Sequence, residues 1–235
     1  MIKLINNEFK KIGIFKLIMP FVIFLIVIII IFEFNDDMKN TIFSLIPFVG
    51  IIISILFSGI ISSEIENGTF RFYLTKPVSR DKIYKSKLLT IIIYGTMLLI
   101  YIFFIYTVLC KLNDNNYFVK YVKYSSPLLL LCAIIIMLST IFRNTPVTVG
   151  ITILILTFSL LLTQILLDIK FRQVEYTFLP YMDFTFFDDK NTIKFMNKTY
   201  NIKLSIKKGI YINAIYSYIF YIIGKYIFIK KDIKN

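Results

Sequence analysis

Six long apolar runs, separated by polar segments, set the pattern of the chain. A helix needs about 20 apolar residues to cross the hydrocarbon core of a bilayer, and each run approaches that length. Because backbone polar groups find no water in lipid, only helices or closed barrels span it, and continuous apolar runs favour helices over alternating strands. The pattern predicts an all-α integral membrane protein with one transmembrane domain over residues 1–235. The expected spans are 17–34, 41–62, 88–109, 126–142, 146–167 and 210–229.

The first part of the chain, residues 1–16, is amphipathic instead of uniformly apolar. Ile2, Ile5 and Phe9 fall on one helical face, whereas Lys3 and Lys10 fall on the other. Such a helix lies in the membrane interface, with its apolar face in lipid and its lysines near the headgroups. We therefore expect an interfacial helix over residues 1–16, and the alternative is a solvated basic tail.

Proline and hydroxyl residues mark the start of two later spans. Pro127 follows Ser125 and Ser126, and Pro146 follows Thr145. A capping hydroxyl followed by a proline at the first helical position is a common helix start. These pairs predict that the fourth and fifth spans begin here.

The segment 168–208 is long, mixed in charge and rich in aromatic residues. Connections of this length without secondary structure are uncommon, and aromatic side chains concentrate at the membrane–water interface. We expect an extracellular loop with short helices that lie on, or dip into, the outer leaflet.

Composition narrows the chemistry. The net charge is +13 and 57% of the residues are hydrophobic, so the basic residues are expected to anchor helix ends at anionic membrane lipid rather than to bind nucleic acid. The chain has two cysteines and no histidine, which argues against a disulfide framework and removes the commonest metal ligand and general base. We expect no catalytic, metal or cofactor site, and hence a protein that is not an enzyme.

The sequence also shows no site at which the protein itself could hydrolyse ATP or bind a coupling ion. The phosphate-binding pattern GxxxxGK[ST] is absent, and no charged residue lies at the centre of a span, where an ion-coupled carrier would need one. Gln164, Ser54 and Ser58 are polar groups within spans. They are expected to make helix–helix hydrogen bonds, and the alternative is a substrate path.

Charge asymmetry indicates an orientation. With the N-terminus inside, the longer inner segments are basic and the first outer turn, 36–40, is acidic. Basic residues are enriched in cytoplasmic loops, so both termini are predicted to be cytoplasmic. The polar segment 63–87 then faces the cytosol.

This segment, 63–87, is dense in charges and helix breakers. Two carboxylates stand where the preceding helix should end, an unfavourable place unless cations such as Arg71 or Arg80 pair with them. The motif Glu-x-Glu-x-Gly-Thr is followed by Pro-Val-Ser-Arg and a Lys-Leu pair. The residues concerned are Glu64, Glu66, Gly68, Thr69, Leu74, Pro77, Val78, Ser79, Arg80, Lys87 and Leu88.

Over about thirty residues, the segment resembles the signature loop of the type-2 ATP-binding-cassette (ABC) exporter permeases. The resemblance implies a cytoplasmic coupling helix near 69–75 that docks on a separate ATPase subunit, which binds the ATP. It also implies a second permease, either an identical copy or a paralogue. The residues expected to couple to the ATPase are Glu64, Glu66, Gly68, Thr69, Phe70, Arg71, Leu74, Pro77 and Arg80.

The resulting hypothesis is a permease subunit of an ABC exporter in the bacterial cytoplasmic membrane. The expected cargo is an amphipathic molecule such as an antimicrobial peptide or a drug, which would confer bacteriocin immunity or antibiotic resistance. The alternatives are a lipid or ion exporter of the same family, an ion-coupled carrier, and a non-transporting membrane scaffold or sensor.

Overall fold

The computed structural model describes residues 1–34, 45–69, 78–110, 117–184, 186 and 190–230, and within these ranges the regular structure is entirely helical. The helices are α1 (Ile2–Ile12), α2 (Ile14–Phe34), α3 (Ile46–Phe57), α4 (Ser62–Glu66), α5 (Arg80–Cys110), α6 (Tyr117–Ile141), α7 (Thr145–Asp168), a 3₁₀ helix (Arg172–Tyr176), α8 (Leu179–Met182), α9 (Lys190–Tyr200) and α10 (Ile206–Lys230).

The described helices include five stretches that are long and apolar enough to cross a membrane, which are Ile46–Glu66, Arg80–Ile105, Tyr121–Ile141, Thr145–Asp168 and Ile206–Lys230. The pair α1 and α2, bent by 75°, raises the number to six. Gly13 forms the bend with φ 89°, a conformation that residues with a Cβ rarely adopt. The predicted multi-span, all-helical architecture is therefore confirmed, and α1 is a separate helix turned away from α2.

Helix α6 lies at the centre of the bundle and packs against α5, α7 and α10. Its most apolar window is 78% buried, compared with 22% for the corresponding windows of α7 and α10. A helix that is apolar all round is buried or faces lipid. Large side chains on the outer helices, such as Phe158 and Tyr218, are exposed and suit contact with acyl chains.

The predicted start of the fourth span is wrong. Helix α6 begins at Tyr117, so Pro127 lies inside it and Ser126 does not cap it. The added turns are stabilised by packing, because the ring of Phe103 lies 6.2 Å from that of Tyr121 and 6.0 Å from that of Tyr124. These contacts between helices outweigh the helix-breaking tendency of one proline.

The third span also begins earlier than predicted, since α5 starts at Arg80 rather than at residue 88. An acid in the first turn of a helix is favoured by the helix dipole, and Asp81 forms ion pairs with Lys85 at 2.8 Å and with Lys225 of α10 at 2.7 Å. The polar segment is therefore shorter than expected. Most of the predicted coupling helix, 70–75, lies outside the described residues.

The segment 168–208 contains the 3₁₀ helix, α8 and α9, so the expectation of short helices is confirmed. Its aromatic residues divide into two groups. Tyr181, Phe184 and Phe186 are at most 1% exposed, whereas Tyr176 and Phe195 are more than 60% exposed. The segment thus forms a packed cap over one end of the bundle. Its buried rings pack between the helices and do not lie at the level of the lipid headgroups.

Candidate functional site

Four charged side chains from three helices meet beside the polar segment. Lys87 of α5 places its Nζ 2.9 Å from Glu8 Oε2 of α1 and 2.8 Å from Glu64 Oε1 of α4. Lys11 of α1 places its Nζ 3.1 Å from Glu8 Oε1 and 2.6 Å from Glu64 Oε1. We call these four residues, Glu8, Lys11, Glu64 and Lys87, the charge cluster. Its two carboxylates and two ammonium groups are joined into one closed network.

Three members of the charge cluster are buried, whereas the side chain of Lys11 is 44% exposed. The side chain of Lys87 is 0% exposed, and those of Glu8 and Glu64 are 6% and 9% exposed. A buried ion is tolerated only when it is paired and hydrogen-bonded. The ammonium of Lys87 meets this condition, because it also donates to the carbonyl of Ile60 at 2.9 Å and so has three acceptors for its three protons.

Beside the charge cluster, the second span is broken. Residues 58–61 separate α3 from α4, so that backbone groups lose their helical partners within an apolar bundle. The hydroxyl of Ser139 on α6 accepts hydrogen bonds from the amides of Ile61 and Ser62 at 2.9 and 3.0 Å. Lys87 satisfies the carbonyl of Ile60, as described above. The break is therefore held by specific side chains of two neighbouring helices.

Helix α7 approaches the same break closely. Ser58 Oγ and Thr152 Oγ1 lie 2.9 Å apart, and a Cβ at position 59 would lie 2.7 Å from Thr145 Cγ2. Glycine at position 59 therefore permits this close approach, because a Cβ there would force the Thr145 side chain to move. Residues of α5, α6 and α7 thus all contact the broken part of the span.

Glu66 caps the start of α7, a role that was predicted for Thr145. The N-cap residue of α7 is Asn144, which makes no side-chain capping bond, so the prediction that Thr145 caps this helix is wrong. Glu66 Oε2 instead accepts from the amide of Thr145 at 3.2 Å and from its hydroxyl at 3.0 Å. A carboxylate at a helix N-terminus satisfies free amides and complements the dipole. Glu66 therefore links the end of α4 to the start of α7.

The remaining predicted coupling residues have varied positions. Gly68 adopts φ 68° after the end of α4, as expected for a helix-terminating glycine. Thr69 Oγ1 donates to the carbonyl of Glu64 at 3.3 Å. Arg80, a predicted partner of the two carboxylates, donates from Nη1 to the carbonyl of Ile229 in α10 at 2.7 Å. The other predicted residues, Phe70, Arg71, Leu74 and Pro77, lie outside the described ranges.

The three polar residues proposed for a substrate path have different surroundings. Ser54 is fully buried and donates to the carbonyl of Gly50 at 2.8 Å, and Ser58 is fully buried beside Thr152. Gln164 lies on the exposed face of α7. The two serines therefore take part in packing and hydrogen bonding within the bundle, whereas Gln164 points away from it.

Glu8, Lys11 and Ser139 were not predicted as site residues, and Lys87 was predicted only as part of the motif. A signal was present for Glu8, because it is the one acid in a basic amphipathic segment and precedes Lys11 by three residues. No periodic pattern would have identified Ser139. Within the described residues, no group of three or more His, Cys, Asp or Glu side chains is arranged to hold a metal ion.

Comparison with known proteins identifies a family. The sequence model of the family described as "Protein of unknown function (DUF2705)" matches residues 31–234, and the chain belongs to this family. The match includes Glu64, Lys87 and Ser139 of the candidate site, whereas Glu8 and Lys11 of α1 precede it. No solved structure matches the chain.

Two proteins of Bacillus subtilis (strain 168) are similar. The chain is 26% identical over 212 residues to "Uncharacterized protein YhcI", an alignment that covers 79% of this chain and 65% of that relative. It is 25% identical over 191 residues to "Uncharacterized membrane protein YdbK", which covers 74% of each chain. The name of YdbK and the apolar helices together support a membrane-embedded protein.

Proposed function

We propose that the chain is the permease subunit of a bacterial ABC exporter in the cytoplasmic membrane. A separate ATPase subunit drives it, and the segment around 69–75 is the docking site for that subunit. A second permease, identical or paralogous, completes the path. The proposal rests on the motif from Glu64 to Arg80 and on the surroundings of its two ends.

The observation that carries the proposal is the charge cluster. It joins α4 and α5, which precede and follow the polar segment, and it joins both to α1. Removing one partner of a buried ion pair typically costs about 3–5 kcal/mol, so this joint resists deformation. A displacement of the segment would therefore be passed to all three helices instead of being absorbed locally.

Two routes lead from the joint into the bundle. On one side, α4 continues into the break at 58–61, which Ser139 connects to α6. On the other side, Arg80 at the start of α5 is bonded to Ile229 near the end of α10. Glu66 provides a third connection, to the start of α7. This arrangement suits a device that converts movement of one polar segment into movement of several spans.

The proposed cargo is an amphipathic molecule taken from the lipid, such as an antimicrobial peptide or a drug. The exposed faces of the outer helices carry large apolar side chains, among them Phe158 and Tyr218, which are compatible with lateral entry. Export of such a molecule would confer bacteriocin immunity or antibiotic resistance. The measurement is the growth of a deletion strain against a panel of peptides and drugs, with complementation by the intact chain.

The first test concerns the ATPase. Affinity purification of the full chain from its native membrane should retain an ATPase subunit, and substitution of Phe70 by Asp should release it, because a charge is introduced at the proposed contact. A chain that purifies without any ATPase would favour the alternative of a membrane scaffold or sensor.

The second test concerns coupling. Glu64→Gln weakens the charge cluster without a change of shape, so transport per ATP hydrolysed should fall about tenfold, within the usual range of coupling free energies of about 1–3 kcal/mol. ATPase binding should survive. Glu175→Gln is the matched control, because its carboxylate lies in the segment 168–208, outside the charge cluster and away from the proposed coupling residues. Normal transport by Glu64→Gln would contradict the mechanism.

A further inference from the structure

A crevice of about 410 Å³ lies between α1 and the broken part of the second span, on one side of the charge cluster. Ile12, Ile55 and Leu56 form its apolar part, and Lys11, Lys16 and Ser63 form its polar part. The volume lies in the range of about 300–1,000 Å³ that is usual for small-molecule sites. The crevice is therefore large enough for a headgroup and part of an acyl chain.

The crevice and the charge cluster together carry one excess positive charge. The carboxylates of Glu8 and Glu64 also line it, but each is bonded to both Lys11 and Lys87. Lys16, in the first turns of α2, is exposed and forms no ion pair with any described part of the chain. The two carboxylates are therefore compensated by Lys11 and by Lys87, which is fully buried and does not line the crevice, and the ammonium of Lys16 is left for an anionic ligand.

The apolar lining decides what kind of anion fits. A free phosphate would gain nothing from Ile12, Ile55 and Leu56, whereas an acyl chain against them removes apolar surface from water. Ile55 is 56% exposed, so part of this surface is open in the isolated chain. Lysines near a membrane surface attract anionic lipid, and their aliphatic stems lie along apolar surface.

We propose that the crevice binds one anionic phospholipid, with its phosphate at Lys16 and with an acyl chain along Ile12, Ile55 and Leu56. The lipid would lie against the charge cluster and would bridge α1 to the broken span. This inference does not depend on transport or on an ATPase, because it uses only the crevice and its charges.

The test uses the full chain, delipidated in a neutral detergent, with phosphatidylglycerol or phosphatidylcholine of identical acyl chains. Binding is measured by native mass spectrometry as the fraction of protein that retains one lipid. The intact chain should prefer phosphatidylglycerol. Lys16→Gln should lower its apparent affinity about fivefold, the effect expected for one lysine at a membrane surface, and Lys16→Arg should restore it.

Lys10→Gln is the matched control. It removes the same charge from an exposed position on α1 that does not line the crevice, so affinity should change less than about twofold. Ile55→Trp is the second variant, because it fills the apolar part without changing the charge, and it should also weaken lipid binding. All of these side chains are exposed, so folding should be retained.

Three outcomes would overturn the proposal. Equal losses in Lys16→Gln and Lys10→Gln would indicate diffuse attraction to a basic surface. Equal binding of phosphatidylglycerol and phosphatidylcholine would show that the charge is not recognised. Displacement of the lipid by soluble glycerol phosphate at similar concentration, together with normal binding to Ile55→Trp, would indicate a site for the phosphate group alone.

Discussion

The two ends of the helical bundle are held together by different forces. At one end, α1, α4 and α5 meet through the charge cluster, in which a fully buried lysine is bonded to two carboxylates. At the other end, the segment between α7 and α10 packs Tyr181, Phe184 and Phe186 into the bundle, and the rings of Tyr181 and Phe186 make an edge contact at 5.2 Å.

The difference concerns specificity more than strength. Apolar packing is weakly directional and tolerates exchange of side chains of similar volume. A buried ion pair tolerates few arrangements, because any displacement leaves a charge without compensation. The aromatic end also has a buried polar contact, since Asn213 donates to the carbonyl of Tyr181 at 2.8 Å, but its ion pair between Glu175 and Lys208 is partly exposed. A precise geometry is therefore built at the end that carries the polar segment.

The largest expected effect is at the charge cluster. Lys87→Met leaves Glu8, Glu64 and the carbonyl of Ile60 without their shared donor, and the free energy of unfolding should fall by about 3–5 kcal/mol. Unfolding in mixed micelles with increasing dodecyl sulfate measures this change. Lys85→Met is the control, because its ion pair with Asp81 is partly exposed and should be worth less than about 1 kcal/mol. Equal effects of the two substitutions would mean that the buried charge cluster contributes no more stability than a partly exposed ion pair.

A smaller effect is expected at the break in the second span. Ser139→Ala leaves the amides of Ile61 and Ser62 without their acceptor, which should cost about 1–3 kcal/mol. Hydrogen exchange at these two amides should accelerate by a corresponding factor. The control is Ser125→Ala, whose hydroxyl donates to a carbonyl of its own helix. Unchanged exchange in Ser139→Ala would mean that the break is held by other contacts.

The smallest effect is a pH dependence at the aromatic end. Burial raises the pKa of Glu175, but hydrogen bonds from the Lys203 amide, Tyr176 and Lys208 outweigh this and hold the pKa below its ordinary 4.5. A carboxyl with a lowered folded pKa contributes stability above pH 4.5 and loses it as the pH falls through the folded pKa. The intact chain should therefore be more stable than Glu175→Gln at neutral pH.

This stability difference should shrink as the pH falls below 4.5, the ordinary pKa of the group. Thermal unfolding of both chains between pH 3 and pH 7 measures it. Because Ser125→Ala retains Glu175 and alters no charge, that variant should show the same pH dependence as the intact chain. A difference that stays constant over this range would show that the ion pair at the aromatic end contributes nothing.

Much of the architecture was predictable, and the exceptions have a common cause. The spans, the amphipathic α1 and the helix end at Gly68 follow from local patterns, and the structure contains them. The start of α6 was not predictable from Pro127, because aromatic contacts with α5 stabilise the earlier turns. The cap of α7 was assigned to Thr145, but Glu66 supplies it from another segment.

Only the features of the candidate site that depend on neighbouring residues in the sequence could be predicted. Glu64 and Glu66 were recognised from their unfavourable position at the end of a helix, which requires compensation. The negative charge of Glu64 is compensated by Lys11, which lies 53 residues before it in the sequence, and by Lys87, which lies beyond the polar segment. Charge patterns report neighbours within about one helical turn and carry no information on such distant pairs.

By itself, the sequence determined that this protein is helical and membrane-embedded, because the length and apolar content of a run decide its transfer into lipid whatever its neighbours are. It also determined where a polar segment interrupts those runs. Only the tertiary structure decided which charges meet, which hydroxyl supports the broken span and which carboxylate caps α7. Those contacts depend on how the helices are placed around α6, and in a bundle without a hydrophobic driving force between helices that placement comes from packing and hydrogen bonds among distant residues.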